Sequence, residues 1–236
     1  IFEKKSIKTI ITILFFGINC LLFAHNGAEN VCIQNIITSV KSIKSPHNAN
    51  AFVDQYSATC EELIDHDILA IYFIQLAKNL ALSKDTLSKE SQDNIAQLLQ
   101  QLPKISNEPL KIWIYSELGW LYYTYNYYEK AYEYVLMASK TIEKSKSNSF
   151  IFAEDTFVHL SYFYFTIKDF EKSIYYSNKA LTFLDESNSN YSALQNNLAN
   201  VYFELQDYET ASKYYKKAKE ISYRNKDLLR YAKVLG

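Results

Sequence analysis

From Ile112 to about Tyr223, small and large apolar residues recur in a fixed order. A Leu-small pair stands at Leu118-Gly119, Leu160-Ser161 and Leu198-Ala199; Tyr122, Tyr164 and Tyr202 follow each pair, and Ala131, Ser173 and Ala211 close each unit. The two small residues are 12 apart in every copy, whereas successive copies start 42 and then 38 residues apart. A constant interior with a variable period predicts a packed helical hairpin joined to its neighbour by an adjustable connection. The difference between the two periods, four residues, is about one helical turn. A hairpin of this size cannot close a core alone, so the copies must stack as an open, all-α solenoid with a long surface for binding.

The residue types explain the hairpin. Gly119, Ser161 and Ala199 sit where the first helix crosses the second, and a large side chain there would hold the axes apart. Ala131, Ser173 and Ala211 answer from the second helix, with Ala138, Ala180 and Ala218 seven residues later on a nearby stripe. Tyr125-Asn126-Tyr127-Tyr128, Lys168-Asp169-Phe170 and Gln206-Asp207-Tyr208 are polar breaks, and the ring ending each is expected to plug the bend.

This order of Leu-small, aromatic, Ala, aromatic and Ala resembles the tetratricopeptide repeat (TPR) family over roughly half the chain, most cleanly from Asn197 to Ile221. Ser161, Ser173 and Ser177 depart from the family pattern, no Pro follows the second helices, and the periods exceed the usual ~34 residues. The resemblance implies an all-α, right-handed superhelix of helical hairpins, with the first helix of each hairpin lining a concave groove. Leu235-Gly236 repeats the Leu-small pair 37 residues after Ala199 and reads as the start of a fourth repeat. With Ile1 in first place rather than Met, the chain reads as a fragment of a longer protein.

Three segments are expected: a signal peptide at 1–24, degenerate helical hairpins capping the solenoid at 25–108, and three repeats plus the start of a fourth at 109–236. Lys4, Lys5 and Lys8 precede an apolar run from Ile10 to Phe23 that Ala24 closes, the pattern of a secretory signal. The run is 14 residues long, short of the ~18–20 that span a bilayer. An uncleaved anchor and, through Cys20, a lipoprotein signal are the competing readings. Removal of the signal leaves Cys32 and Cys60 in a compartment that permits a disulfide between them; two separate buried thiols are the alternative. Ala49 to Ile64, Ile68 to Leu82 and Ser91 to Leu102 carry helical spacing, with Asp85 to Lys89 as a polar bend. Glu108-Pro109 opens the first good repeat.

Composition narrows function further. The formal net charge is -1, and of 25 basic residues only Arg224 and Arg230 are Arg, which leaves no electrostatic case for nucleic acid. His25, His47, His66 and His159 are scattered without metal-ligand spacing, Asp65-His66-Asp67 reads as a polar helix start, and no Gly-rich phosphate loop exists. No metal site, cofactor or catalytic residue is expected. The basic run Lys213, Lys216, Lys217 and Lys219 reads as a solvated outer face, and the tyrosines from Tyr122 to Tyr128 as packing and bend residues.

The resemblance places Trp113, Ser116, Trp120, Tyr123, Tyr162, Phe165, Asn196, Asn200 and Phe203 on the groove. Aromatic walls with carboxamides suit a protein or an extended peptide, the Asn residues bonding its backbone. The competing reading has both Trp rings filling the junction to the N-terminal cap. The Lys-Asn clamp that some relatives use for a carboxylate terminus is missing at Ser116 and Trp120. Two functions follow as expectations. The first is the extracytoplasmic sensory region of a bacterial membrane signalling protein, of diguanylate cyclase or histidine kinase type, reaching the membrane only through a segment downstream. The second is a stand-alone periplasmic scaffold. An enzyme is not expected.

Overall fold

The computed structural model describes residues 31–41, 43, 48–81, 86–145 and 150–235. The expected signal peptide, Cys20, His25 and His47 lie outside the described residues. Among those described, all regular structure is helical, and no helix is long and apolar enough to cross a membrane. The chain divides into two compact units at Ile105/Ser106.

The first unit holds α1 (31–41), α2 (Ala49–Ser57), α3 (Asp65–Ala81) and α4 (Lys89–Gln101), then a 3-10 turn at Leu102–Lys104. α3 is buried on most of its circumference and packs on α4, and Ile68, Ile71 and Ile74 are fully buried, as are Ile33 and Ile36 of α1 and Leu98 of α4. Buried polar groups tie the helices: Ser91 Oγ donates to Ala77 O at 2.8 Å, and Asn79 Nδ2 donates to Val40 O at 2.9 Å. The helix expected from Ala49 to Ile64 ends early, at Ser57. The Tyr56 carbonyl accepts from Thr59 N and Cys60 N, while Ser57 Oγ donates to Asp65 Oδ1, so the chain turns there. Cys60 is thereby brought to α1, where it is joined to Cys32 with Cα atoms 5.7 Å apart. Asp67 Oδ2 accepts from Ile64 N at 3.2 Å, which makes Asp65-His66-Asp67 the polar start of α3.

The second unit stacks three hairpins: α5 (Glu108–Thr124) with α6 (Tyr128–Ser145), α7 (Ala153–Thr166) with α8 (Phe170–Leu181), and α9 (Ser189–Glu204) with α10 (Tyr208–Arg224). α11 (Leu228–Leu235) packs on α10 and α9. The first helices touch one another, α5 to α7 and α7 to α9, and form one layer; the second helices present one apolar stripe to that layer. All the small crossing residues are buried. A Cβ on Gly119 would lie 2.8 Å from Val135 Cγ2, so the axes approach too closely there for any side chain without adjustment. In the second hairpin Ser173 Oγ donates to Ser161 O at 2.9 Å, so the two serines bridge the crossing with a hydrogen bond.

Each hairpin turn repeats the same device. Asn126, Lys168 and Gln206 take positive φ (64°, 61° and 63°), and the next N–H reaches back to Tyr122, Tyr164 or Tyr202 O at 2.9 Å. This left-handed residue with its backward bond ends the first helix. Asp169 and Asp207 then cap the second helices, accepting from Lys172 N and Thr210 N; Tyr127 holds that place in the first hairpin. The expectation that a ring plugs the bend is corrected. Tyr128 and Tyr208 are more than half exposed, because the backbone closes the turn and the rings lie on its rim, against Tyr123 and Phe203; Phe170 of the second bend alone is half-buried, against Phe165.

Candidate peptide-binding face

The layer of α5, α7 and α9 carries the predicted site residues, but it does not present them equally. Trp113 is 3% exposed and packs on Phe152 at 5.2 Å, and Ser116 is 1% exposed. Neither lines a surface. The turn before α7 covers Trp113, whereas one heptad later Trp120 emerges half-buried. Two residues seven apart are offset by ~20° on a straight helix, and the covering neighbour decides which stays open. The first Trp fills a junction, but with α7 of its own unit.

Trp120 is the centre of a continuous aromatic row. Its indole lies flat on the His159 imidazole, with centroids 4.5 Å apart and planes 7° apart. Tyr123 stands 5.5 Å and Tyr162 6.3 Å from it. Hydrogen bonds fix the rings: Thr166 Oγ1 donates to Tyr162 O and lies 3.0 Å from the Tyr123 hydroxyl, while Tyr162 OH donates to Ala193 O at 3.0 Å. Burial pushes the Tyr162 phenol pKa up, and the Arg230 guanidinium beside it pulls against that rise.

His159 was not predicted as part of the site. Its Nδ1 is 3.1 Å from Ser116 Oγ and 3.9 Å from Glu117 Oε1, both on buried side chains of α5. Ser116 therefore acts from beneath, orienting the imidazole that carries Trp120. The offset of His159 from Ser161 matches that of Glu117 from Gly119, which is the signal available in the sequence. Nothing in the sequence says that 117 and 159 would meet.

The remaining predicted residues extend the row. Phe165 is half-buried against Phe170 at 6.2 Å, and Phe203 is 53% exposed. Asn196 is half-buried on α9; Asn200 accepts from Tyr215 OH at 2.6 Å, which leaves its amide nitrogen for another acceptor. Lys216, expected to face away, lines a shallow cleft with Phe203 and Tyr215, whereas Lys213 is exposed and pairs with Glu209. Among the described residues no group of three His, Cys, Asp or Glu side chains would hold a metal ion.

A second element recurs behind this face. Tyr122 stacks on Tyr134 (5.7 Å, 11°), Tyr164 on Tyr176 (5.5 Å, 13°) and Tyr202 on Tyr214 (5.5 Å, 5°), each pair 12 residues apart. The same ring pair in the same orientation marks three copies of one structural unit. Residues 152–224 match the tetratricopeptide repeat family model. The tetratricopeptide match spans α7 to α10, and the ring pair carries the same geometry into α5 and α6. No curated protein matches the chain. A crystal structure of BtubC (BKLC) from P. vanneervenii resembles it with a TM-score of 0.54 at 18% identity, over 81% of this chain and 74% of that one. At that identity the likeness concerns the fold alone. Tetratricopeptide repeats form protein-interaction surfaces.

Proposed function

We propose that this chain is a protein- or peptide-binding module, not a catalyst, acting outside the cytoplasm as the sensory region of a membrane signalling protein. The observation that carries the binding reading is the row Tyr123, Trp120, His159 and Tyr162. Planar rings are held by hydrogen bonds and a stack, yet keep part of their surface open. Pre-organised rings bind with little loss of side-chain freedom, which favours an extended peptide over a flexible contact. The bond between Cys32 and Cys60 and the Lys-flanked apolar run at the N-terminus support export. The signalling assignment rests on that export together with the long-period repeats.

The test is paired substitution. Truncating an aromatic anchor typically costs at least about 2 kcal/mol, roughly thirtyfold in affinity. Trp120→Ala should therefore lose the partner that the wild-type chain captures from a periplasmic extract, and Lys213→Ala should keep it. The reverse pattern, with both variants folded, places binding on the outer helices and overturns this reading.

A further inference from the structure

The aromatic row rests on an enclosed acid. Glu117 of α5 is 3% exposed, and its Oε1 stands 3.9 Å from Nδ1 of His159, whose side chain is 13% exposed. Ser116 Oγ lies 3.1 Å from the same nitrogen, and the Trp120 indole lies on the face of the ring, 4.5 Å between centroids and 7° between planes. One imidazole is thus shared between a buried carboxylate at its edge and an indole on its face.

Both neighbours favour the protonated ring. A carboxylate out of water is costly unless a cation stands beside it, and a cation is drawn to the face of an indole. Asp155, one turn earlier on the same face of α7, adds a second acidic side chain. The Arg230 guanidinium, whose field reaches Tyr162, opposes them from α11, and the phenols of Tyr123 and Tyr162 flank the stack. On the other helices packed against α7, Lys172 of α8 is paired with Glu143 of α6 at 3.9 Å, and α9 carries no charged residue before Glu204.

We infer, within the peptide-binding reading, that the Glu117–His159 pair gates the aromatic row by pH, holding Trp120 in place for an apolar peptide residue while the imidazole is protonated and releasing it when the proton leaves. Histidine changes charge near neutrality. The charged ring has in the folded chain a carboxylate partner that the unfolded chain lacks. Its stabilisation is therefore complete at acid pH and is lost as pH rises through the folded midpoint. Glu117 touches no ligand and acts as a positioning residue through His159.

Acetyl-Phe-Ser-Phe-amide has no titratable group and serves as the probe. In the full chain its affinity, read from the Trp120 indole Nε1–H signal, should fall at least threefold between about pH 5.5 and 8.5. The chain has two tryptophans and four histidines, so Trp120→Phe and His159→Phe assign the signals. The His159 Cε1–H signal should titrate with the same midpoint as the affinity. Glu117→Gln should move that midpoint to lower pH, a shift that a merely structural Glu117 would not give. His159→Phe keeps a flat ring and should bind equally at both pH values. His66→Gln, where the native ring meets the neutral Gln101 Oε1 at 2.9 Å, should keep the wild-type dependence. Measurable and equal affinity at both pH values removes the gate and leaves the aromatic face standing, whereas no binding at either removes the face and the gate with it. A midpoint unmoved in Glu117→Gln, or pH dependence that survives in His159→Phe, overturns the inference. A wild-type His159 signal that stays still between about pH 5 and 9 does so without any variant.

Discussion

At the residue scale the fold depends on side chains that are absent as much as on those present. Ala211 is 2% exposed at a helix crossing, where extra methylenes have no room. Ala211→Leu should destabilise the second unit by about 1–3 kcal/mol, read from urea unfolding; a neutral result would mean that the crossing lies elsewhere. The stacked tyrosines make a second residue-scale statement. Burial pushes the Tyr134 phenol up to about 12 and raises those of Tyr122, Tyr176 and Tyr214 as well. A folded-state pKa above the unfolded one gives stability that is present below about pH 10 and lost as pH rises towards the folded value. Alkaline titration should therefore unfold the repeats between about pH 10 and 12, with tyrosinate absorbance and helical circular dichroism changing together. Tyr134→Phe should move that transition to higher pH, and an unmoved midpoint would remove Tyr134 from the cause.

At the element scale each hairpin is ended by backbone conformation. Lys168 and Gln206 occupy left-handed turns where a Cβ is strained, and both are exposed, so neither side chain compensates by packing. Lys168→Gly and Gln206→Gly should each raise stability by about 0.5–1 kcal/mol, the relief of strain exceeding the extra entropy that glycine loses. Thermal melts distinguish this from Lys168→Ala, for which no gain is expected. The repeat pattern made these hairpins legible because Leu-small pairs and 12-residue offsets are local signals. The early end of α2 was not legible. Its helical spacing continues past Ser57, and the turn is made by the Tyr56 carbonyl accepting from Thr59 N and Cys60 N, the side-chain bond from Ser57 to Asp65 and the tie from Cys60 to Cys32.

At the scale of the whole molecule, the two units have different sources of stability. The second has its nearest-neighbour hairpin contacts, and the first adds a covalent tie across a sequence separation of 28 residues. In the chain-entropy model such a loop contributes about 3–4 kcal/mol. Reduction should lower the melting transition of residues 31–105 by that much, and equal melting with and without reductant would show that the packed helices suffice. Free thiols at Cys32 and Cys60 in unfolded, unreduced protein would remove the bond altogether.

The order of elements, the hairpin crossings and the small residues at them follow from the sequence, because helical period and side-chain volume act between residues close in the chain. The choice of the first-helix face as the candidate surface rests on the family resemblance instead. Which residues of that face stay open was decided by tertiary contact. Trp113 is covered by the turn before α7, and His159 meets Trp120 and Glu117 from 39 and 42 residues away. Such meetings depend on how far each helix is rotated and shifted against its neighbour. That rotation is a property of the packed stack, and no single repeat carries it in its own sequence.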